Sequence, residues 1–487
     1  MLNPGEFPYR RGIHPQMYRE KSWSTRQYSG FGNASEANLN FKRLISAGNK
    51  GVSIAFDLPT QMGLNPNSEM AKFEVGKVGV SIDSLDDMRA LLSEIPLEEI
   101  SLSMTINATS GILLLMYHMV AEERKLNTKS LRGTLQNDIL KEFITRSTQI
   151  FPLEHSVRFT ADVFEFCATE LPEWSPISIS GYHFAEAGAT PVQELAFAIS
   201  NGLYYLEVAK ERNLDIEALA SRVSFFFSTG TNLFTEVSKL RAARSIWAKL
   251  TQDRYSFSNP KSSQMRIHAQ TAGSELLPVG IENNLSRVTI QALAAILGGV
   301  QSLHTNSYDE ALSLPTTFSS GLAINIQEII RVETDISESP DPLGGSFHIE
   351  ELTSNIEQEV LKLIQKIEGY GGVSVAIVDD FQRNLIEQNA YKEALDFASG
   401  AKKLVGMNYG VKSQNSSQFE DFSNRSVNPD LIKKSQTVTP KVYTLEKELI
   451  SCATSNKNVM YPIKNLLLSG YSSSTICDLL RKCWGTV

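Results

Sequence analysis

Small polar and apolar positions alternate in three short runs of this chain. In residues 176–183 (PISISGYH), Ser178, Ser180 and Tyr182 alternate with Ile177, Ile179 and Gly181. In 100–107, Ser101, Ser103 and Thr105 alternate with Leu102, Met104 and Ile106. In 222–230, Arg222, Ser224, Phe226 and Ser228 share one side. Read as strands, these runs carry small polar groups on one face and mostly apolar groups on the other. An ordinary barrel fills its axis with bulky branched side chains. An inner face of hydroxyls leaves that axis to another occupant, and a long, polar, extended ligand is the simplest one.

The same pattern runs on as an alternation of β-like and helical stretches. The β-like runs are 52–58, 100–107, 131–138, 177–183, 223–229, 264–270, 301–306 and 346–351. Helical periodicity follows at 86–94, 112–123, 142–149, 192–211, 233–250, 287–297, 320–332 and 354–369. Eight strand–helix units within 50–371 predict a (β/α)8 TIM barrel that binds substrate, with a doubly wound open sheet as the alternative. An N-terminal arm, 1–49, rich in aromatics and arginine, precedes it. A linker and helical C-terminal region, 372–487, follows, with a Ser/Asn-rich stretch at 402–440 and a helical tail at 445–454 and 463–483.

Composition narrows the function. The chain has 487 residues, enough for a large core, and a net charge of −8 with no long basic run, which argues against nucleic acid as a partner. Four scattered cysteines (Cys167, Cys452, Cys477, Cys483) make no disulfide framework. The N-terminal LNPGEFPYRRG has no apolar leader, and no stretch is long enough to span a bilayer, so a cytoplasmic protein is expected.

Active sites of βα barrels lie at the C-terminal strand ends. Those ends carry Asp57, Asn107, Gln136, Tyr182, His183, His268, Gln270, His304, Asn306 and, just beyond, Glu310. The set is polar and mostly uncharged. It lacks a glycosidase's close carboxylate pair, a Ser–His–Asp elbow and a phosphate-cradling loop. The three histidines invite a metal-hydrolase reading, but no HxH or HExxH pair is present, so no metal site is expected. Each then reads as a hydrogen-bonded rim residue.

Several long blocks resemble the catalytic chain of the adenosylcobalamin-dependent acyl-CoA mutases, the methylmalonyl-CoA mutase family. They are RQYSGF (26–31), AFDLPTQ (55–61), GTLQNDILKEF (133–143), SISGYHFAEAGAT (178–190), KLRAAR (239–244), QSLHTNSYDEAL (301–312) and DPLGGSFHIEELT (341–353). The resemblance implies an isomerase in which the pantetheine arm of coenzyme A threads a hydroxyl-lined barrel and adenosylcobalamin caps the C-terminal mouth. It implies a radical 1,2-shift of the acyl thioester. His183 matches the histidine that hydrogen-bonds the migrating thioester carbonyl, with Tyr182 and Glu186 flanking it. Tyr28 matches the tyrosine wedged between the adenosyl group and substrate, and Arg146 the arginine that pairs with a free substrate carboxylate. Thr134 and Gln136 match further substrate contacts, joined by Gln270, while Arg26, Ser103, Thr105, Arg222 and Ser224 are expected along the coenzyme A path. Lys21 stands where an arginine meets the coenzyme A phosphate. Asn306 and Glu310 match positions near the cobalamin ribose and corrin edge, with Glu186 grouped among them as cofactor-binding.

Tyr28 with Arg146 favours a dicarboxylic acyl-CoA, because relatives acting on isobutyryl-CoA or 2-hydroxyisobutyryl-CoA carry Phe or Ile and Gln there. A buried arginine without its carboxylate would cost several kcal/mol. Ethylmalonyl-CoA differs by one methylene, worth only about 1–3 kcal/mol, and stays open. The family's cobalt-ligating DxHxxG motif is absent from the sequence. No cobalamin-binding domain is therefore expected in this chain, and a separate small corrinoid-binding subunit is, giving a hetero-oligomer; a GTPase chaperone stays open. The reading is a (R)-methylmalonyl-CoA to succinyl-CoA mutase large subunit, with another acyl-CoA mutase or a non-catalytic structural subunit as alternatives.

Overall fold

The computed structural model describes residues 3–46, 49, 51–410 and 442–487. It is an α/β fold with short strands in two sheets, of five and four strands, and many helices. In chain order the strands are β1 (Ser24–Thr25), β2 (Tyr28–Ser29), β3 (Gly51–Ala55), β4 (Ser101–Thr105), β5 (Gly133–Leu135), β6 (Ser178–Ser180), β7 (Ser224–Thr229), β8 (Arg266–Thr271) and β9 (Ser302–His304). The sheet orders are β1-β9-β8-β7-β6 and β2-β3-β4-β5, with parallel pairing. Parallel neighbours need long crossovers, which is what the βα alternation supplies. The described chain forms two compact units. One takes residues 3–25, 179–204 and 224–410; the other takes 26–178, 205–223 and 442–487.

In the four-stranded unit, Val52, Ile54, Leu102, Met104 and Leu135 are buried on one face of the sheet. The helix Ser110–Glu123 is apolar nearly all round (LLLMYHMV) and buried along most of its length, as a helix covered on several sides must be. It packs against Leu85–Leu92, Leu153–Glu170 and Met460–Leu468. The expected helical tail is Tyr443–Ala453, Met460–Leu468 and Ser473–Trp484, with the Trp484 indole donating to the Ala453 carbonyl at 2.9 Å.

In the five-stranded unit, Ile179 and Phe225 pack against Trp247 and the helix Pro191–Glu211, where Gly202 leaves them room: a Cβ there would stand 2.9 Å from Ile179 Cδ1. The KLRAAR block is buried in the helix Leu233–Tyr255 and holds structure rather than ligand. Lys239 bridges Glu194 and Glu236, each at 2.6 Å. Arg241 pairs with Asp341 and Glu350. Arg244 donates to the carbonyls of Tyr9, Arg10 and Gly298, fastening the N-terminal segment.

Two expectations are corrected. Residues 346–351 are not a strand; they open the helix Phe347–Gly369, whose buried Ile349, Thr353, Ile356, Val360, Ile364 and Ile367 recur at helical spacing. The segment expected as an arm instead supplies β1 and β2, one edge strand to each sheet, and the helix Ala34–Ser46. Strands of two residues carry no readable alternation. The run 177–183 is also shorter as a strand, because Tyr182 already starts the helix Tyr182–Glu186. The part of the Ser/Asn-rich stretch from 411 to 441 lies outside the described residues. Among the described residues, no helix is long and apolar enough to cross a membrane.

Candidate active site

Register lines up the polar face of the four-stranded sheet. Tyr28, Ser53, Ser103 and Thr134 are successive parallel partners, so they stand side by side on one face. One step toward the strand N-termini are Gly51 and Ser101, where the half-buried Arg26 guanidinium donates to Ser101 Oγ at 3.0 Å. One step toward the C-termini is Thr105, whose hydroxyl donates to the Ile54 carbonyl at 2.6 Å. This is the hydroxyl-lined face that the sequence pattern called for. Burial pushes the Tyr28 phenol well above its ordinary value, with Arg26 opposing, so it stays a neutral donor at pH 7.

Beyond the ends of β4 and β5 lies a buried polar cluster. Gln136 Oε1 accepts from Lys141 Nζ at 2.7 Å and from Asn107 Nδ2 at 3.0 Å. Glu142 Oε1 accepts from Asn107 Nδ2 at 2.6 Å and lies 3.5 Å from Lys141 Nζ, while Glu142 Oε2 accepts from the Thr148 hydroxyl. Arg146 Nη1 is 3.9 Å from Glu142 Oε1, and Nη2 donates to Gln61 Oε1 at 3.3 Å. Lys141 and Glu142 are fully buried, whereas 34% of the Arg146 side chain is exposed, which corrects the expectation of a buried arginine with no partner but the substrate. Burial pulls the Lys141 ammonium down to about 8, with Glu142 working against the drop. The segment Glu142–Arg146 is a π-helical turn, closed by Ser147 N–H donating to the Glu142 carbonyl at 2.8 Å and by Ser147 at φ 57°. Such turns recur at functional sites.

The five-stranded sheet carries a second, neutral cluster. His183 Nδ1 lies 2.6 Å from Ser180 Oγ, and its ring meets Phe226 edge-on at 5.9 Å. The Tyr182 ring stacks on Phe226 at 4.7 Å, and its hydroxyl accepts from Gln270 Nε2 at 2.9 Å. The same Gln270 amide donates to Asn306 Oδ1 at 2.9 Å, and Asn306 Nδ2 donates to the Thr271 carbonyl. Gln270 is therefore the hub that fixes both neighbours. Glu186 accepts from the Gly273 and Ser274 amides and the Ser274 hydroxyl, yet burial pushes its carboxyl up to about 7. Desolvation, then Asp309, moves the Glu310 carboxyl the same way, to about 7.

The remaining expected residues lie apart from these clusters. Arg222 pairs with Glu173 at 2.6 Å, just before β7. Ser224 is the half-buried first residue of β7. Lys21 is exposed beyond the short turn Met17–Arg19. His268 Nδ1 lies 2.8 Å from Ser302 Oγ, and among the described residues no group of three or more His, Cys, Asp or Glu converges as a metal would require. Reasoning from sequence missed Lys141, Glu142 and Gln61 as members of a site. Adjacent opposite charges inside the otherwise apolar ILKEF run were the available signal for the first two.

The methylmalonyl-CoA mutase family model matches residues 1–486. The chain is 37% identical, over 99% of its length and 87% of the relative's, to the 2-hydroxyisobutanoyl-CoA mutase large subunit of Aquincola tertiaricarbonis. It is 38% identical over 99% of its length to the mitochondrial methylmalonyl-CoA mutase of Mus musculus, and 41% identical over 88% to the methylmalonyl-CoA mutase large subunit of Streptomyces virginiae. It spans 65% and 59% of the length of those two relatives. With a whole-chain family match, a hydroxyl-lined strand face and two polar clusters at strand ends, the chain belongs to the methylmalonyl-CoA mutase family.

Proposed function

We propose that the chain is the large subunit of an acyl-CoA mutase that interconverts (R)-methylmalonyl-CoA and succinyl-CoA, using adenosylcobalamin held by a separate small subunit. The relative from Aquincola tertiaricarbonis, named a large subunit and matched over 87% of its own length, supports the split arrangement. The observation that carries the substrate assignment is Arg146: Gln61 and Glu142 hold its guanidinium while part of it stays open to a carboxylate. Arginine pairs with carboxylates through two parallel hydrogen bonds, which gives selectivity as well as strength.

The chain's own residues fit the cofactor. Gly273 keeps the space beside Asn306 and Glu186 clear, since a Cβ there would lie 3.2 Å from each. Glu310 and Glu186 would offer carboxyl oxygens to ribose hydroxyls. When bound, adenosylcobalamin supplies the radical that takes a hydrogen atom from substrate. His183 then acts on the thioester: the Ser180 contact at Nδ1 fixes the ring, so Nε2 meets the carbonyl oxygen and shares a proton with it as the acyl group migrates. Tyr182, pinned by Phe226 and Gln270, keeps that ring in place and water out. Tyr28, neutral and fixed in the strand row, packs against the substrate's reacting end.

A second reading, a mutase of 2-hydroxyisobutanoyl-CoA or another branched acyl-CoA, is favoured by the relative that matches nearly the whole of both chains. The test is mass spectrometry of coenzyme A esters. The purified chain, adenosylcobalamin and the small corrinoid-binding subunit from the same source are offered methylmalonyl-, ethylmalonyl-, isobutyryl- and 2-hydroxyisobutanoyl-CoA in parallel. Succinyl-CoA formed fastest supports the first reading, and 3-hydroxybutanoyl-CoA formed fastest supports the second. No product from any ester, despite stable association of the subunits, makes the chain a structural subunit.

A further inference from the structure

We infer that Glu142 and Lys141 are positioning residues for the acyl end of the substrate: one buried ion pair orients both Arg146 and Gln136. This deepens the reading of Arg146 as the carboxylate partner and rests on it.

The geometry shares one carboxylate among several donors. Glu142 Oε1 meets Asn107 Nδ2, Lys141 Nζ and, at 3.9 Å, Arg146 Nη1. Thr148 fixes the other oxygen, so the carboxylate cannot rotate away from Arg146 without losing a hydrogen bond. Residues i and i+4 of a helical turn share a face, which keeps the Arg146 stem above Glu142. On the other side, Lys141 and Asn107 both donate to Gln136 Oε1. The Gln136 amide is thereby held in one orientation, because a flipped NH2 would face two donors. Its Nε2 end points away from both and is available to an acyl oxygen. Neither charge of the pair is easily dispensed with. A fully buried lysine without its carboxylate would lose its proton, and a fully buried carboxylate without its donors would stand unsatisfied. Asp138, which accepts from the Tyr205 hydroxyl at 2.8 Å, adds negative charge near Lys141, and Arg146 adds positive charge.

The arrangement explains how a partly exposed arginine becomes a selective reader of carboxylates. Alone, such a side chain samples many rotamers. Tied to a buried anion on one side and to Gln61 on the other, it presents one face.

The test is calorimetric binding of succinyl-CoA, butyryl-CoA (the same chain length without the second carboxylate) and coenzyme A to the full chain. Wild type, Arg146→Gln, Glu142→Gln and Thr148→Val are compared, each checked for folding by thermal melting. Arg146→Gln is expected to weaken succinyl-CoA about 100-fold and leave butyryl-CoA within about twofold. Glu142→Gln is expected to weaken succinyl-CoA about 10-fold with the same selectivity, and Thr148→Val about threefold. If Arg146→Gln is selective but neither Glu142→Gln nor Thr148→Val changes the succinyl-CoA to butyryl-CoA ratio, the positioning inference is overturned and the carboxylate reading stands. If Arg146→Gln weakens both esters equally, the carboxylate reading fails and the inference with it. Should Glu142→Gln not fold, Thr148→Val decides: an unchanged ratio overturns the inference, and a selective loss supports it.

Discussion

The two strand-end clusters differ in one respect: the set beyond β4 and β5 is charged, and the set around β7, β8 and β9 is neutral where it meets the strand ends. Around Gln136 the polar groups are organised by a buried lysine and glutamate and an arginine. Around Gln270 they are organised by amide, phenol, imidazole and hydroxyl groups, with the carboxyls of Glu186 and Glu310 raised toward neutrality. The five-stranded unit does contain a buried ion triad, but there Glu194 and Lys239 bind the backbone of Ser228 from the helix side, with Glu236 pairing Lys239. There the charge holds a strand; beside Gln136 it holds the side chains proposed to meet the substrate. A fixed charge suits a substrate carboxylate, and a neutral donor suits a thioester whose charge changes little during a radical shift.

Each way of breaking this contrast has its own size. Replacing Lys239 with methionine leaves two buried carboxylates without their cation, and about 3–5 kcal/mol of stability should be lost in denaturant unfolding; a loss under 1 kcal/mol would show that the triad is wet or already protonated. In the neutral cluster, His183→Ala should slow turnover roughly 10²–10³-fold, the scale of a lost general-acid contact. The loss should be equal for every acyl-CoA, because the thioester is common to all, and unequal losses would move His183 to the acyl end. In the charged cluster Arg146→Gln should instead discriminate between esters, costing a carboxylated one about 10²-fold in kcat/KM relative to one without the carboxylate. Gly273→Ala should weaken adenosylcobalamin about 10-fold with little change in ester binding, since the new Cβ crowds Asn306 and Glu186. Cofactor titration by difference absorbance measures it, and unchanged affinity would put the cofactor elsewhere.

A further effect is on pH dependence. Lys141 titrates near 8 when folded and near its ordinary 10.5 when unfolded, so between those values the unfolded chain binds more protons. This group therefore makes the protein more stable as pH rises from about 8 to 10.5. The difference in unfolding free energy between wild type and Lys141→Met should slope across that window and be flat below it. A flat difference throughout would mean that Glu142 holds the ammonium near its ordinary value.

Much of this was legible in the chain itself. The alternation at 100–107 and 223–229 marks β4 and β7 to within two residues of their ends, because a strand with one apolar and one polar face has an unmistakable period of two. Residues 346–351 misled because SFHIE alternates over a few positions; only the repeat out to Ile367 reveals the helix. The edge strands at Ser24–Thr25 and Tyr28–Ser29 are too short to carry any period, and they exist because β9 and β3 offer them hydrogen-bonding edges.

By itself, then, the sequence determined the order of β3 to β9, the hydroxyl face and the family, since all three are written in local periodicity and in long ordered blocks. It also placed His183, Tyr28 and Arg146 within motifs. Tertiary structure alone decided that KLRAAR is a set of buried anchors, that Gln270 joins Tyr182 to Asn306, and that Glu142 stands between Lys141 and Arg146. The partners of a buried polar group come from distant parts of the chain, and no local pattern names them. Only folding, which forces each such group to find a donor or acceptor, settles which ones meet.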